Sequence, residues 1–169
     1  MGKRSLSSGL LIRFTSELSP RKDSQVWGGS VAYWIKMNYE RETYLVDLDS
    51  VSAFASGLNK RIAFWLPANG KQIIINYQSN PKTYEDILGY IQRITTHYST
   101  NYWVKIIYDR HEYIIDLNRL NTFVIDSSQR ITFWLPDGKE PIIINPQTNA
   151  EAYSKILDFI HNKTGHSLP

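Results

Sequence analysis

Cysteine is absent from all 169 residues. That excludes a disulfide framework, a thiol nucleophile and thiolate-held zinc or iron–sulfur clusters. Long apolar runs are missing too. Nothing approaches the roughly 20 apolar residues of a membrane-spanning helix. Leu10–Ile12 is interrupted by Arg13, too early for the apolar core of a secretory signal. Leu6 stands where a myristoylation motif needs Ser or Thr. The expectation is a soluble, cytoplasmic protein with no membrane span. An organellar transit peptide is the alternative, because the first residues are Ser-rich and acid-poor.

Catalytic signatures are equally scarce. Neither a Walker A pattern nor Gly-x-Gly-x-x-Gly occurs, and no Gly-x-Ser-x-Gly elbow is found. His161 and His166 lie five apart near an expected helix end, a poor spacing for metal ligands. No metal, cofactor or enzymatic activity is therefore expected. The one carboxylate pair that duplication supplies is Asp47 and Asp116, and an Asp in a strand near Lys and Arg is more often an ion-pair partner than an acid–base catalyst.

What is present is an internal repeat. Tyr33-Trp34 recurs as Tyr102-Trp103, Phe64-Trp65-Leu66-Pro67 as Phe133-Trp134-Leu135-Pro136, and Ile73-Ile74-Ile75-Asn76 as Ile142-Ile143-Ile144-Asn145. Tyr84, Ile87, Leu88 and Ile91 recur as Tyr153, Ile156, Leu157 and Ile160. All are offset by 69, and aligning 31–98 with 100–167 gives 27 identities in 68 positions. Two copies are too few for a solenoid, which leaves a pseudo-twofold internal dimer. The expected organisation is a basic arm over 1–30, a first repeat over 31–99 and a second over 100–169.

Each repeat reads as ββββα. Tyr33–Tyr39 alternates, turns at Glu40-Arg41-Glu42 and continues as Tyr44–Leu48, the pattern of a hairpin. After a polar stretch around Gly57-Leu58-Asn59 come strands at Arg61–Leu66 and Ile73–Asn76, separated by a Pro67, Asn69, Gly70 turn. Asn80 is placed to cap a helix with Pro81 at its first position, and Asn149 to cap the second. Tyr84, Ile87, Leu88 and Ile91 then follow helical spacing. The fold class is α+β: a tandem duplication with antiparallel sheets, each covered by one helix.

Alternation also assigns faces. Tyr33, Ile35, Met37 and Tyr39 share one face with the apolar sets of the other strands and suit the helix. Trp34, Lys36, Asp47, Arg61 and Trp65 take the other, and the second repeat matches them with Trp103, Lys105, Asp116, Arg130 and Trp134. Such a face can stack bases on Trp and meet phosphates with Lys and Arg, and stacking is worth roughly 1–3 kcal/mol per base. Packing of the Trp faces on each other, or an ordinary amphipathic surface, is the competing explanation.

Tandem ββββα units paired as an internal dimer resemble the PUR-repeat and Whirly families of single-strand nucleic-acid binders. The likeness covers about residues 31–167 as element order and repeat length, and it carries no residue assignments. The stretch from Asp47 into the helix is similar to the latter half of bacterial pleckstrin-homology-like domains, which implies a protein- or lipid-contacting adaptor instead. The leading expectation is a non-enzymatic binding protein for single-stranded DNA or RNA, with Trp34, Lys36, Arg61, Trp65, Trp103, Lys105, Arg130 and Trp134 as ligand-binding residues. The alternative is a PH-like adaptor or assembly subunit with a protein partner.

Charge is distributed unevenly. The net +3 of the chain equals that of residues 1–30, which hold five basic and two acidic side chains. Residues 31–99 hold seven against six, and 100–169 seven against eight. Any attraction to phosphate by the repeats must come from local placement of a few cations.

Overall fold

Among the described residues the chain forms ten strands, most of them where period-two alternation sorts side chains to two faces. The computed structural model describes residues 32–96, 102–136 and 141–168. The basic arm of residues 1–30 lies outside them, as does His97. β1 (Trp34–Tyr39) and β2 (Glu42–Asp47) form a hairpin. A 3-10 turn at Leu48–Ser50 leads to β3 (Ala53–Gly57), β4 (Arg61–Trp65), β5 (Gln72–Asn76) and helix α1 (Pro81–Thr96). The second half follows with β6 (Trp103–Tyr108), β7 (His111–Asp116), a 3-10 turn at Leu117–Arg119, β8 (Phe123–Ile125), β9 (Ile131–Trp134), β10 (Pro141–Ile144) and α2 (Ala150–Thr164). Among the described residues the protein is α+β, with antiparallel sheets and two helices.

Among the described residues each half holds five strands rather than the expected four. The additional ones are β3 and β8. β3 reads Ala-Phe-Ala-Ser-Gly, without the β-branched residues that mark strands. It is a strand because it is central and covered on both sides: Ala53 joins the second core and Phe54 the first. A strand buried on both faces has no polar alternation to read.

The sheets are not one per repeat either. A five-stranded sheet runs β5-β4-β3-β7-β6, beside a two-stranded β1-β2 sheet and a three-stranded β10-β9-β8 sheet. β3 of the first half pairs antiparallel with β7 of the second, matching Phe54 with Ile114 and Ala55 with Tyr113. The twofold counterpart of this joint would be β8 on β2, and among the described residues that ladder is not formed. The expected pseudo-twofold is therefore broken in the strand pairing: the halves are joined head to tail, once.

Two cores result. α1 lays Ile87, Tyr90 and Ile94 on Phe54, Phe64 and Ile73, while α2 lays Ile156, Phe159 and Ile160 on Val104, Ile106, Ile115 and Phe133. Fully burying each such side chain stabilises by roughly 1.5–3 kcal/mol. The buried stripe of α1, Ile87, Tyr90 and Ile94, is rotated by roughly a quarter turn from the expected one. Ile87 belongs to both, while Tyr84, Leu88 and Ile91 are partly buried beside it.

Asp47 and Asp116 have the same local role. Each accepts a hydrogen bond from the backbone N–H two residues on, Asp49 and Asn118, at 3.0 Å, and so caps a 3-10 turn. The Tyr90 hydroxyl donates to Asp49 Oδ1 at 2.9 Å, and burial, with that bond, pushes the phenol well above its ordinary pKa. Asn149 precedes α2 but makes no side-chain cap bond. Its amide instead reaches Ile107, accepting from the backbone N–H at 3.4 Å and donating to the carbonyl at 3.3 Å.

Candidate ligand-binding face

The five-stranded sheet has one face on α1. On its other face, registers of Ala55 with Ala63 and of Ala63 with Ile74 leave a floor of small side chains, extended by Gly57 opposite Arg61. Because β7 lies beside β3, the β6–β7 turn stands next to the β3–β4 turn and raises a wall there. Arg61, Trp65, Arg110, His111 and Tyr113 surround this floor in a cleft of about 420 Å3.

Both turns are tight. Asn59 and Lys60 hold φ of 70° and 51°, and Asp109 and Arg110 hold 45° and 63°. In the two-residue Asp109-Arg110 loop this is the type I′ hairpin geometry, whose twist matches that of the flanking strands, while the β3–β4 loop has three residues, Leu58 to Lys60. Non-glycine residues adopt positive φ at a cost of order 1 kcal/mol each. The result is two cationic tips side by side. Lys60 Nζ lies 4.5 Å from the Tyr77 ring centre. Arg61 and Arg110 make no ion pair with any described residue. His111 Nδ1 lies 2.7 Å from the Asp109 carbonyl, so this nitrogen carries the proton, and the ring then lies over Gly57. A Cβ at position 57 would come within 3.3 Å of His111 Cδ2. Glycine at 57 thus gives the imidazole its place.

The second half presents the same face differently. Asp126 occupies the position equivalent to Gly57 and grips Arg130, with Nη2 and Nε at 2.7 and 2.8 Å from Oδ2. Arg130, so close, holds the Asp126 carboxyl below its ordinary pKa. Among the described residues no hairpin flanks β8 to make a wall.

The eight residues expected to bind ligand are therefore divided. Arg61 and Trp65 share the cleft. Trp34 and Lys36 lie exposed on the separate β1–β2 hairpin, Trp34 at 62%. Trp103 packs against the first core, 6.1 Å from the Phe54 ring, and Lys105 pairs with Glu112 at 2.8 Å on the α1 side of the sheet. Arg130 is neutralised, and Trp134 is 41% exposed on the three-stranded sheet. Of each tryptophan pair, one member is partly buried and one exposed. Trp65 leans on the second core while Trp134 does not. Sequence reading missed Arg110, His111 and Tyr113, since they reach the cleft only through the β3–β7 joint.

A second cavity of about 330 Å3 lies between β6 and the start of α2. Its polar groups already serve the fold: Asn149 bonds Ile107, and Lys155 Nζ donates to the Trp103 carbonyl. Burial lowers the Lys155 pKa. Among the described residues no three metal-ligating side chains cluster, and no helix is long and apolar enough to cross a membrane.

No protein-family model matches the chain, and neither does any curated protein. Among solved structures, a LytTr DNA-binding domain of a putative methyl-accepting/DNA response regulator from Bacillus cereus aligns over 73% of this chain and 95% of its own. The identity is 11% and the TM-score 0.44, too low for the likeness to bear on fold or function.

Proposed function

We propose that this chain is a duplicated, non-enzymatic binding protein whose cleft on the first half holds single-stranded nucleic acid. One observation carries the reading: Arg61 and Arg110, without acidic partners among the described residues, flank Trp65 and Tyr113 over a floor of Ala55, Gly57 and Ala63. Two cations beside aromatic rings suit a phosphate backbone with a stacked base. The small-residue floor admits a flat group without moving side chains. The repeats are otherwise electrically balanced, so binding must rest on these few cations and weaken modestly with salt.

A titration of the intact chain with a fluorescent oligonucleotide at two salt concentrations tests this. Binding should quench Trp emission, and Trp65→Phe should remove much of that quenching. Arg61→Ala and Arg110→Ala should each lower the salt slope by about 0.7, the value for one single-strand phosphate contact. Salt-independent binding, or equal affinity in Arg61→Ala, would exclude the cleft. A protein-contacting role has separate support in Trp34 and Leu45, which stand 62% and 68% exposed.

A further inference from the structure

We infer that this chain assembles head to tail with further copies of itself, the β2 edge of one chain adding to the β8 edge of the next. The argument starts from the joint already inside the molecule. There, β7 adds to β3, which buries Ile114 to 5% exposure and brings the Trp103 ring to 6.1 Å from Phe54. Each participant has a counterpart exactly 69 positions away that lacks this contact. On the donor side, Trp34 and Leu45 match Trp103 and Ile114, and they are exposed. On the acceptor side, Phe123 matches Phe54 on a strand that, among the described residues, pairs with β9 alone.

The chemistry of the two edges is preserved. Trp34 keeps Trp, Leu45 replaces Ile114, Val46 replaces Ile115 and Phe123 keeps Phe. The occupant the β8 edge fits is thus the kind of hairpin this chain itself carries. Unpaired edges are templates for strand addition, and no Pro blocks either β2 or β8. Each chain has one donor and one acceptor edge, so the contact is heterologous and extends into a ring or an open series.

The internal joint also fixes the register. Shifted by 69, the Phe54–Ile114 and Ala55–Tyr113 matches become Phe123–Leu45 and Val124–Tyr44. The Asp116 N–H donates to the Ser52 carbonyl, so alternation makes Ala55–Tyr113 a non-hydrogen-bonded pair. Val124–Tyr44 would be one as well, the closer kind of pair and one within disulfide reach.

The absence of native cysteine makes the test clean. Tyr44→Cys and Val124→Cys chains, mixed and mildly oxidised, should give a disulfide-linked heterodimer. Neither chain alone should do so. Adding Leu45→Glu to the Tyr44→Cys chain should abolish the link, because the contact would bury that carboxylate as the internal joint buries Ile114. Sedimentation of the unmodified chain should show species larger than a monomer growing with concentration, and Leu45→Glu should remove them. A strict monomer at all concentrations would overturn the inference. So would a disulfide formed within one chain in the Tyr44→Cys/Val124→Cys double variant, since β2 would then close on its own β8. An edge occupied by residues 1–31 would appear as linkage that fails in the full chain and is gained when those residues are removed, and this too would overturn it. The outcome does not depend on the nucleic-acid cleft.

Discussion

Position 57 and position 126 are equivalent, and they set the two halves apart. Gly57 leaves Arg61 without a described counter-ion and admits the His111 ring, whereas Asp126 ties Arg130 down at 2.7 Å. The same framework thus gives a cationic cleft in one half and a neutral surface in the other. A second difference multiplies the first. The β6–β7 hairpin lies beside β3 and supplies a wall, while β8 has no such neighbour among the described residues. Duplication does not guarantee duplicated sites, because a joint made once gives each half a different environment.

The largest effect should come from that joint. Ile114→Glu would place a carboxylate in the first core, at a site only 5% exposed, and should cost about 3 kcal/mol or more in denaturant unfolding. Leu45→Glu, its counterpart at 68% exposure, should stay within about 0.5 kcal/mol in dilute solution. Equal losses in the two would mean that both joints are made and the head-to-tail description is wrong.

Next in size is the conversion of one half into the other. Gly57→Asp should bring a carboxylate to Arg61 and push on His111. Oligonucleotide affinity should drop about tenfold, roughly 1.4 kcal/mol, with a shallower salt slope. The reverse change, Asp126→Asn, should release Arg130 and raise affinity roughly threefold through one more phosphate contact. If Gly57→Asp binds as the parent does, Arg61 is not a ligand contact and the contrast between the halves has no functional meaning.

Much of this was legible in advance. The alternation of Tyr33–Tyr39 and of Arg61–Leu66 sorted side chains correctly, so Ile35, Met37, Ile62 and Phe64 are buried and Lys36 and Arg61 exposed. Gly57 and Asp126 could be compared in the sequence as soon as the offset was known. β3 could not be read, because Ala53, Ala55, Ser56 and Gly57 derive their strand from neighbours on both sides rather than from propensity. Nor could the cleft, since Arg110, His111 and Tyr113 meet Arg61 and Trp65 only across a pairing between residues 56 to 62 apart. The Asn149 cap failed for a related reason: a tertiary bond to Ile107 outcompetes the local one.

The smallest effect concerns acid. Arg130, by hydrogen bond and charge, holds the Asp126 carboxyl below its ordinary pKa, so the folded chain takes up this proton less readily than the unfolded one. Such a group contributes stability above its unfolded value, about pH 4, and that contribution is lost as pH falls through the lowered folded value. Asp126→Asn lacks the charge at every pH. Its urea midpoint should therefore lie below that of the parent at pH 7, and the gap should close below about pH 4. Arg61→Gln provides the control from the other half. With Gly57 in place of the acid, its midpoint should differ from the parent by the same small amount at pH 7 and pH 3. A gap that closes in acid for Arg61→Gln as well would show a carboxylate beside Arg61, and the cationic character assigned to the first half would then be lost.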